Sequence, residues 1–192
     1  MIALASEARR SIGASWRMLT FKEGWREGFD VSLGGFWRSF AAAVLALPLV
    51  ALILAGGWHA GGTIELGRFA FGYALSWAIF PLAAAAACAV TGARTGFVPW
   101  VVVHNWAVLW LYAFQALFWT LHTAGLFTRD LLELSFFFYT YLRILVHWRI
   151  AYASLGLPTI TSALAAAVPI LAGEITVTLL YASARAAQAS GG

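Results

Sequence analysis

One cysteine, one lysine and eight acidic residues in a chain of 192 set the first limits. A single thiol, Cys88, cannot close a disulfide within the chain or build a cysteine-based metal site. It lies in an apolar run and reads as a small packing residue. Charged residues make up only 10% of the chain, whereas a soluble domain carries about 25%. With 62% hydrophobic residues, the apolar surface could not be covered in water. In lipid it need not be covered, and only the backbone must be satisfied, which a helix does internally. No phosphate-binding glycine loop, serine-centred nucleophile elbow, HExxH or CxxC is present. The acids Asp30, Glu65 and Asp130 have no spacing that suggests acid–base work. A non-enzymatic protein is the expectation. The net charge of +4 comes with no nucleic-acid-binding motif, so no nucleic-acid partner is expected.

Five long apolar stretches are present. They run from Ser39 to Gly57, Phe69 to Thr91, Val101 to Leu121, Leu131 to Ala151 and Ile160 to Tyr181. Each is near the roughly 20 residues that a helix needs to cross a bilayer core. The expected fold is all-α, a polytopic membrane protein of five transmembrane helices preceded by an interfacial amphipathic helix. Residues 1–36 form the cytoplasmic N-terminal segment, 37–183 the five-helix domain and 184–192 a short tail.

The basic residues orient it. Arg9, Arg10, Arg17, Lys22, Arg26 and Arg38 precede the first stretch, a placement suited to anionic headgroups. With the N-terminus inside, these six join Arg94 and Arg149 on the inner side, against Arg68, Arg129 and Arg185 outside. That is eight against three, so the positive-inside rule puts the N-terminus in the cytoplasm and the C-terminus outside. The fourth stretch, which holds Arg143, is the weak point; a re-entrant segment there would return the C-terminus inside. No cleavable signal peptide is read, and the first stretch would serve as an uncleaved anchor. The arginine and alanine bias suggests a GC-rich bacterial genome, hence a bacterial inner membrane.

Leu4, Ala8, Ile12, Trp16 and Leu19 recur at helical spacing, with Arg9, Arg10 and Arg17 off that stripe. This segment reads as a helix lying on the inner leaflet, or as a docking helix for a cytoplasmic partner. Arg9, Arg10, Arg17, Trp16, Trp37 and Arg38 are the candidate headgroup contacts. Of the ten tryptophans, Trp16, Trp25, Trp37, Trp58, Trp100 and Trp148 fall near interfaces as an aromatic belt; Trp77, Trp106, Trp110 and Trp119 do not all fit it.

Ionisable side chains in the hydrocarbon core cost about 2.5–3.5 kcal/mol each, so they turn inward and pair. Helical spacing sorts them. His104, Gln115 and His122 are separated by 11 and 7 residues, which returns them to one face. Thr140, Arg143 and His147 follow at spacings of 3 and 4, and Glu174, Thr178 and Tyr181 at 4 and 3. Arg143 and Glu174 are expected to pair across an axial offset of about 9–12 Å, helped by Tyr181, Thr140 or water. That pair reads either as a clamp fixing helix register or as a substrate or proton site; Arg143 snorkelling inward is the third reading.

Two histidines at one depth on facing helices, His104 and His147, could ligate a haem axially, with His59 and His122 as a second pair. Satisfied polar residues are commoner, and no cofactor or metal is expected. Pro48, Pro81 and Pro169 lie inside stretches and can kink them. The run Ala83 to Ala87, with Gly72 and Ser76, allows close helix approach.

The segments Tyr73-Ala74-Leu75-Ser76-Trp77 through Pro81, and Ala153-Ser154-Leu155-Gly156-Leu157-Pro158 followed by Ser162-Ala163-Leu164, resemble the second-span and last-link regions of the Yip domain family of five-span membrane proteins. The resemblance covers roughly Trp37 to Tyr181 and implies the five-span plan. Eukaryotic members are associated with membrane traffic and small GTPases, and bacterial members are largely uncharacterised. Arg143 with His147 departs from the family pattern.

The leading expectation is therefore an accessory or structural membrane protein packing with lipid, other membrane subunits or itself. A small-solute or proton transporter centred on Arg143 and Glu174 is the alternative, and a haem-carrying electron-transfer subunit the second.

Overall fold

Long apolar runs can satisfy their backbone in lipid only as helices, and helices dominate the computed structural model. It describes residues 2–61 and 65–190, without the side chains of residues 2–3, 181 and 183–190. The helices are α1 (Ile2–Leu19), α2 (Leu33–Ser39), α3 (Ala41–His59), α4 (Leu66–Thr91), α5 (Phe97–Thr123), α6 (Arg129–Leu155) and α7 (Thr159–Ser190). Short 3₁₀ turns occupy Arg26–Gly28 and Arg94–Gly96, and no strand occurs among the described residues. The protein is thus all-α. Among the described residues, four segments are long and apolar enough to cross a membrane: Leu33–His59, Leu66–Thr91, Arg94–Thr123 and Thr159–Leu180. This makes it a multi-pass membrane protein. The helix formed by the fourth stretch, α6, is not among those four. It carries Arg129, Asp130, Glu133, Arg143 and Arg149, which lower its apolarity. It is nevertheless one unbroken helix of 27 residues, not a re-entrant hairpin.

Local chemistry fixes the helix ends. Ser32, Glu65 and Thr128 accept hydrogen bonds from the backbone N–H three residues on, capping α2, α4 and α6. Gly92 (φ 73°) and Gly156 (φ 64°) end α4 and α6 in the left-handed region, where a Cβ is penalised.

α5 is the hub. It packs against α1, α2, α3, α4 and α6, while α7 closes the far side against α4 and α6. Residues Trp100 to Ala107 of α5 are all buried, whereas beyond Leu111 only Ala116 is. The same half of α4 (Trp77, Phe80, Ala84, Ala87, Cys88) and of α7 (Ser162, Ala165, Ala166) is buried. The bundle is tight at the end that carries α1 and open at the other. α3 runs parallel to α5: Asn105 Nδ2 donates to Ser39 Oγ at 2.9 Å, and fourteen residues along α5 Gly56 meets Trp119. A Cβ on Gly56 would lie 2.7 Å from the Trp119 Cβ, so glycine is what lets the two helices touch.

α1 lies across the bundle rather than along it. Near its start, Glu7 accepts from Arg38 Nε at 2.7 Å, beside the Ser39–Asn105 contact. Near its end, the Met18 carbonyl accepts from Arg149 Nε at 3.1 Å, two residues from His147. His104 and His147 touch, so both ends of α1 are held at one level of the bundle. About 16 Å of helix separates them. Its packing face is Glu7, Ala8, Ser11, Ala14, Ser15 and Met18, all buried. The stripe expected from the sequence is displaced: Leu4 and Trp16 are exposed, and Ile12 and Leu19 sit at the edge. Small residues replace large ones because α1 is approached closely from two sides: Trp110 Nε1 of α5 donates to Ser15 Oγ at 3.1 Å, and Gly28 lies against Ser11 and Ala14. The helix ends with Phe21 at φ 59°, a conformation usually left to glycine. The Arg149 guanidinium, 4.4 Å over the Phe21 ring, ties that turn to α6.

Candidate functional site

Helices α4, α5, α6 and α7 line a half-open cavity of about 300 Å³. Its polar lining comes from three of the helices. α5 contributes His104, Asn105, Tyr112 and Gln115; α6 contributes Tyr139, Arg143 and His147; α4 contributes Ser76 and Trp77. Phe80, Pro169 and apolar side chains complete the wall. Such a volume is at the small end of ligand pockets.

The two histidines form its floor. Their ring centroids are 5.3 Å apart, and Phe80 stacks on His104 at 3.3 Å. His147 Nδ1 lies 2.8 Å from the Arg143 carbonyl, which can only accept, so Nδ1 carries the proton. His104 Nδ1 lies 3.4 Å from Asn105 Oδ1, and the Asn105 amide is fixed the other way round by Ser39. Its Nδ1 is therefore also the donor. In the neutral rings each Nε2 is left as an acceptor. Ser39 Oγ in turn donates a hydrogen bond to the Phe36 carbonyl at 2.7 Å, so the chain of bonds from His104 ends on backbone.

The donors of the lining differ in access. The Trp77 indole N–H is fully buried beside the Tyr73 hydroxyl and does not reach the cavity surface. Gln115 makes no side-chain hydrogen bond among the described residues. Gln115 is half-buried, and its amide together with the two histidine Nε2 atoms gives the cavity unmet hydrogen-bonding capacity.

At the cavity's edge Arg143 Nη2 donates to Glu174 Oε1, joining α6 to α7. The contact is direct, and the axial offset estimated from residue counts does not keep the two groups apart. The side chains remain 31% and 52% exposed, which places the pair on the outer side of the seam rather than at the bundle centre.

Of the polar residues expected in the spans, the structure gathers His104, Gln115, Arg143 and His147 around one cavity, with Glu174 attached through Arg143. It does not gather the others. Thr140 is exposed and returns its hydroxyl to the Phe136 carbonyl at 3.0 Å. Thr178 is exposed away from the lining, and the Tyr181 side chain lies outside the described residues. His122 sits on its predicted face but too far along α5, with Nδ1 2.9 Å from the Phe127 carbonyl. It makes no contact with His59. The His104 and His147 rings leave no slot between them for a porphyrin plane, so the geometry lends the haem reading no support. No group of three or more metal-ligating residues occurs among the described residues. Asn105, Tyr112 and Tyr139 were not singled out from the sequence, and Trp77 stood out only among the tryptophans that do not all fit the aromatic belt. Tyr139 continues the spacing of four that links Arg143 to His147, so its position was legible.

The headgroup candidates divide. Arg9, Arg10 and Arg17 are exposed on α1, Trp37 is 66% exposed, and Trp16 packs on Trp110 with centroids 4.7 Å apart. Arg38, in contrast, is taken up internally by Glu7 and Asp30. Hydrogen bonds from Ser32, followed by the charge of Arg38, hold the Asp30 carboxyl below its usual value.

An all-α membrane bundle with a polar-lined cavity is the class that fold and site define. No family model, curated protein or solved structure matches the chain.

Proposed function

We propose that this chain is a non-enzymatic membrane protein whose working part is the α4–α7 cavity, a binding or transport site for a small neutral solute. The observation that carries this reading is the unmet hydrogen-bonding capacity of one small cavity: the Gln115 amide and two histidine Nε2 acceptors. Donors and acceptors together favour a solute that offers both. Arg143 and Glu174 cancel at the edge, which leaves no net charge to select an ion. Proton transfer through Glu174 is the variant of this reading that the pair itself suggests.

In the same proposal α6 is the fifth crossing, since it is as long as α5 and packs between α5 and α7. The arginine distribution then puts the N-terminus in the cytoplasm of a bacterium and α1 at the inner-leaflet interface. Its transverse lie suits that placement. The five-crossing plan agrees with the Yip-like resemblance, from which no traffic or GTPase role is carried over.

A second reading is favoured by Glu174. A carboxylate half-exposed on the outside of a membrane bundle calls for cover, and a neighbouring membrane subunit would supply it. That is the accessory role.

Fluorescence titration of the purified protein with small neutral amides and phenols tests the first reading. Saturable binding in the wild type, weakened about tenfold or more in Gln115→Leu with unchanged thermal stability, is expected. No saturable binding across both solute classes would count against it. Glu174→Gln with intact folding and lost transport would favour the transport form. If Glu174→Gln and Arg143→Leu only destabilise the protein or leave it unchanged, while another membrane protein co-purifies, the accessory reading stands.

A further inference from the structure

A second concavity lies on the other side of α1, between that helix and residues 24–28, and it is independent of the α4–α7 cavity. Its volume is about 890 Å³. Arg9, Arg10 and Arg17 line it, with Glu27 and the backbone of Gly24 and Gly28. The structure gives the guanidinium groups of these three arginines no ion pair or hydrogen bond among the described residues, while Arg38, Arg68, Arg129 and Arg143 each have a carboxylate. The groove is built, not a smear of surface charge. Gly28 sits directly on α1: a Cβ there would lie 2.3 Å from that of Ala14, and Ser11 Oγ donates to the Gly28 carbonyl at 3.0 Å. Gly13, on the groove wall, has nothing within 4 Å of an added Cβ, so the space above it is open.

We propose that this groove is a binding site for a phosphate group that carries a neighbouring hydroxyl. Three guanidinium groups against one carboxylate leave a net positive site, and Arg binds phosphate oxygens through paired, charge-assisted hydrogen bonds. Glu27, which has no ion partner among the described residues, is the acceptor for a hydroxyl beside the phosphate. A phosphoglycerol unit meets both demands. It can come from an anionic lipid headgroup or from a soluble glycerol phosphate. The groove faces away from the α5-packed side of α1, next to where that helix crosses the end of the bundle.

Two arms separate the sources. In the first, the full-length protein in mixed phosphatidylcholine–phosphatidylglycerol nanodiscs is released into detergent, and retained lipid is weighed by native mass spectrometry. In the second, sn-glycerol 3-phosphate and inorganic phosphate are titrated against the detergent-solubilised protein by calorimetry. Retention of phosphatidylglycerol over phosphatidylcholine by about tenfold or more, lost in Arg10→Gln/Arg17→Gln, supports the site with a lipid ligand. Saturable glycerol 3-phosphate binding, tighter than inorganic phosphate and weakened toward it by Glu27→Gln, supports the site with a soluble ligand. Gly13→Leu fills the open wall without touching the bundle and should abolish either signal, even if the arginine variants fold poorly. Absence of both signals overturns the proposal. So does a lipid preference that Arg129→Gln, far from the groove, reduces as much as Arg10→Gln/Arg17→Gln does.

Discussion

The two ends of this bundle are stabilised by different things. At the end crossed by α1, the helices bury one another: Trp100 and Trp106, both fully enclosed, sit among Val101, Val102, Val103, Ile150 and Ala151. At the far end, large apolar side chains face outward, among them Phe71, Leu117, Leu126, Phe137, Phe138 and Leu179. Both halves expose large apolar side chains, Leu82, Val90, Ile160 and Leu164 among them at the first end, but only the first also makes a close-packed interior. The cavity lies on the boundary, with buried His104 at its floor and half-exposed Glu174 at its edge. A site that must hold geometry and still admit something benefits from that position.

The comparison can be broken by substitution. The largest effect is expected for Trp106→Ala, which should lower stability by about 3–5 kcal/mol, whereas Leu117→Ala should stay within about 1 kcal/mol. Thermal unfolding in detergent, followed by near-UV circular dichroism, compares them directly; equal losses would mean that the two ends are not distinct. Gly56→Leu should cost about 1–3 kcal/mol by wedging α3 off Trp119. If it is neutral, the far end is looser still than the structure has it. Asn105→Ala should cost about 1–2 kcal/mol, since it strands the hydrogen bonds of Ser39 and His104. Its signature would be a weakened α3–α5 contact, read as faster hydrogen exchange at the start of α3. The smallest effect concerns acid. The Asp30 carboxyl is held below its free value of 3.8. Its contribution is therefore fully present above that value and lost as pH falls through the lower folded value. Asp30→Asn should remove a small part of the acid sensitivity of α1–α2 docking and leave stability at pH 7 nearly unchanged, because the pair is solvent-exposed.

The five apolar runs of the sequence correspond to α3 to α7 with ends shifted by a few residues, apart from α7, which continues to Ser190. Length and apolarity carry that information without tertiary context. Arg143, His147, His104 and Gln115 were legible because polar groups stand out against hydrocarbon and repeat at helical spacing. Asn105 was not, because its neighbour His104 already marked that turn and its role depends on Ser39, 66 residues away. Nor was the packing face of α1. Hydrophobic periodicity searches for large apolar residues, and this helix docks through Ser11, Ser15 and Ala14, whose burial depends on how close a partner comes. Trp77 could have served in the belt, the core or the site; only its place in the lining separates these.

The central position of α5 has a consequence for biogenesis. α3 and α4 are consecutive in the chain, yet their principal link is one hydrogen bond, from the Tyr73 hydroxyl to the Ala43 carbonyl. Most of what α3 packs against is α5. As the chain leaves the ribosome, the first two long helices have little reason to associate until the third arrives between them. The nascent protein must therefore keep two weakly acquainted helices in the membrane until residues after 97 have been synthesised. Pausing or truncation before that point would leave a substrate for membrane proteases rather than a partly folded domain.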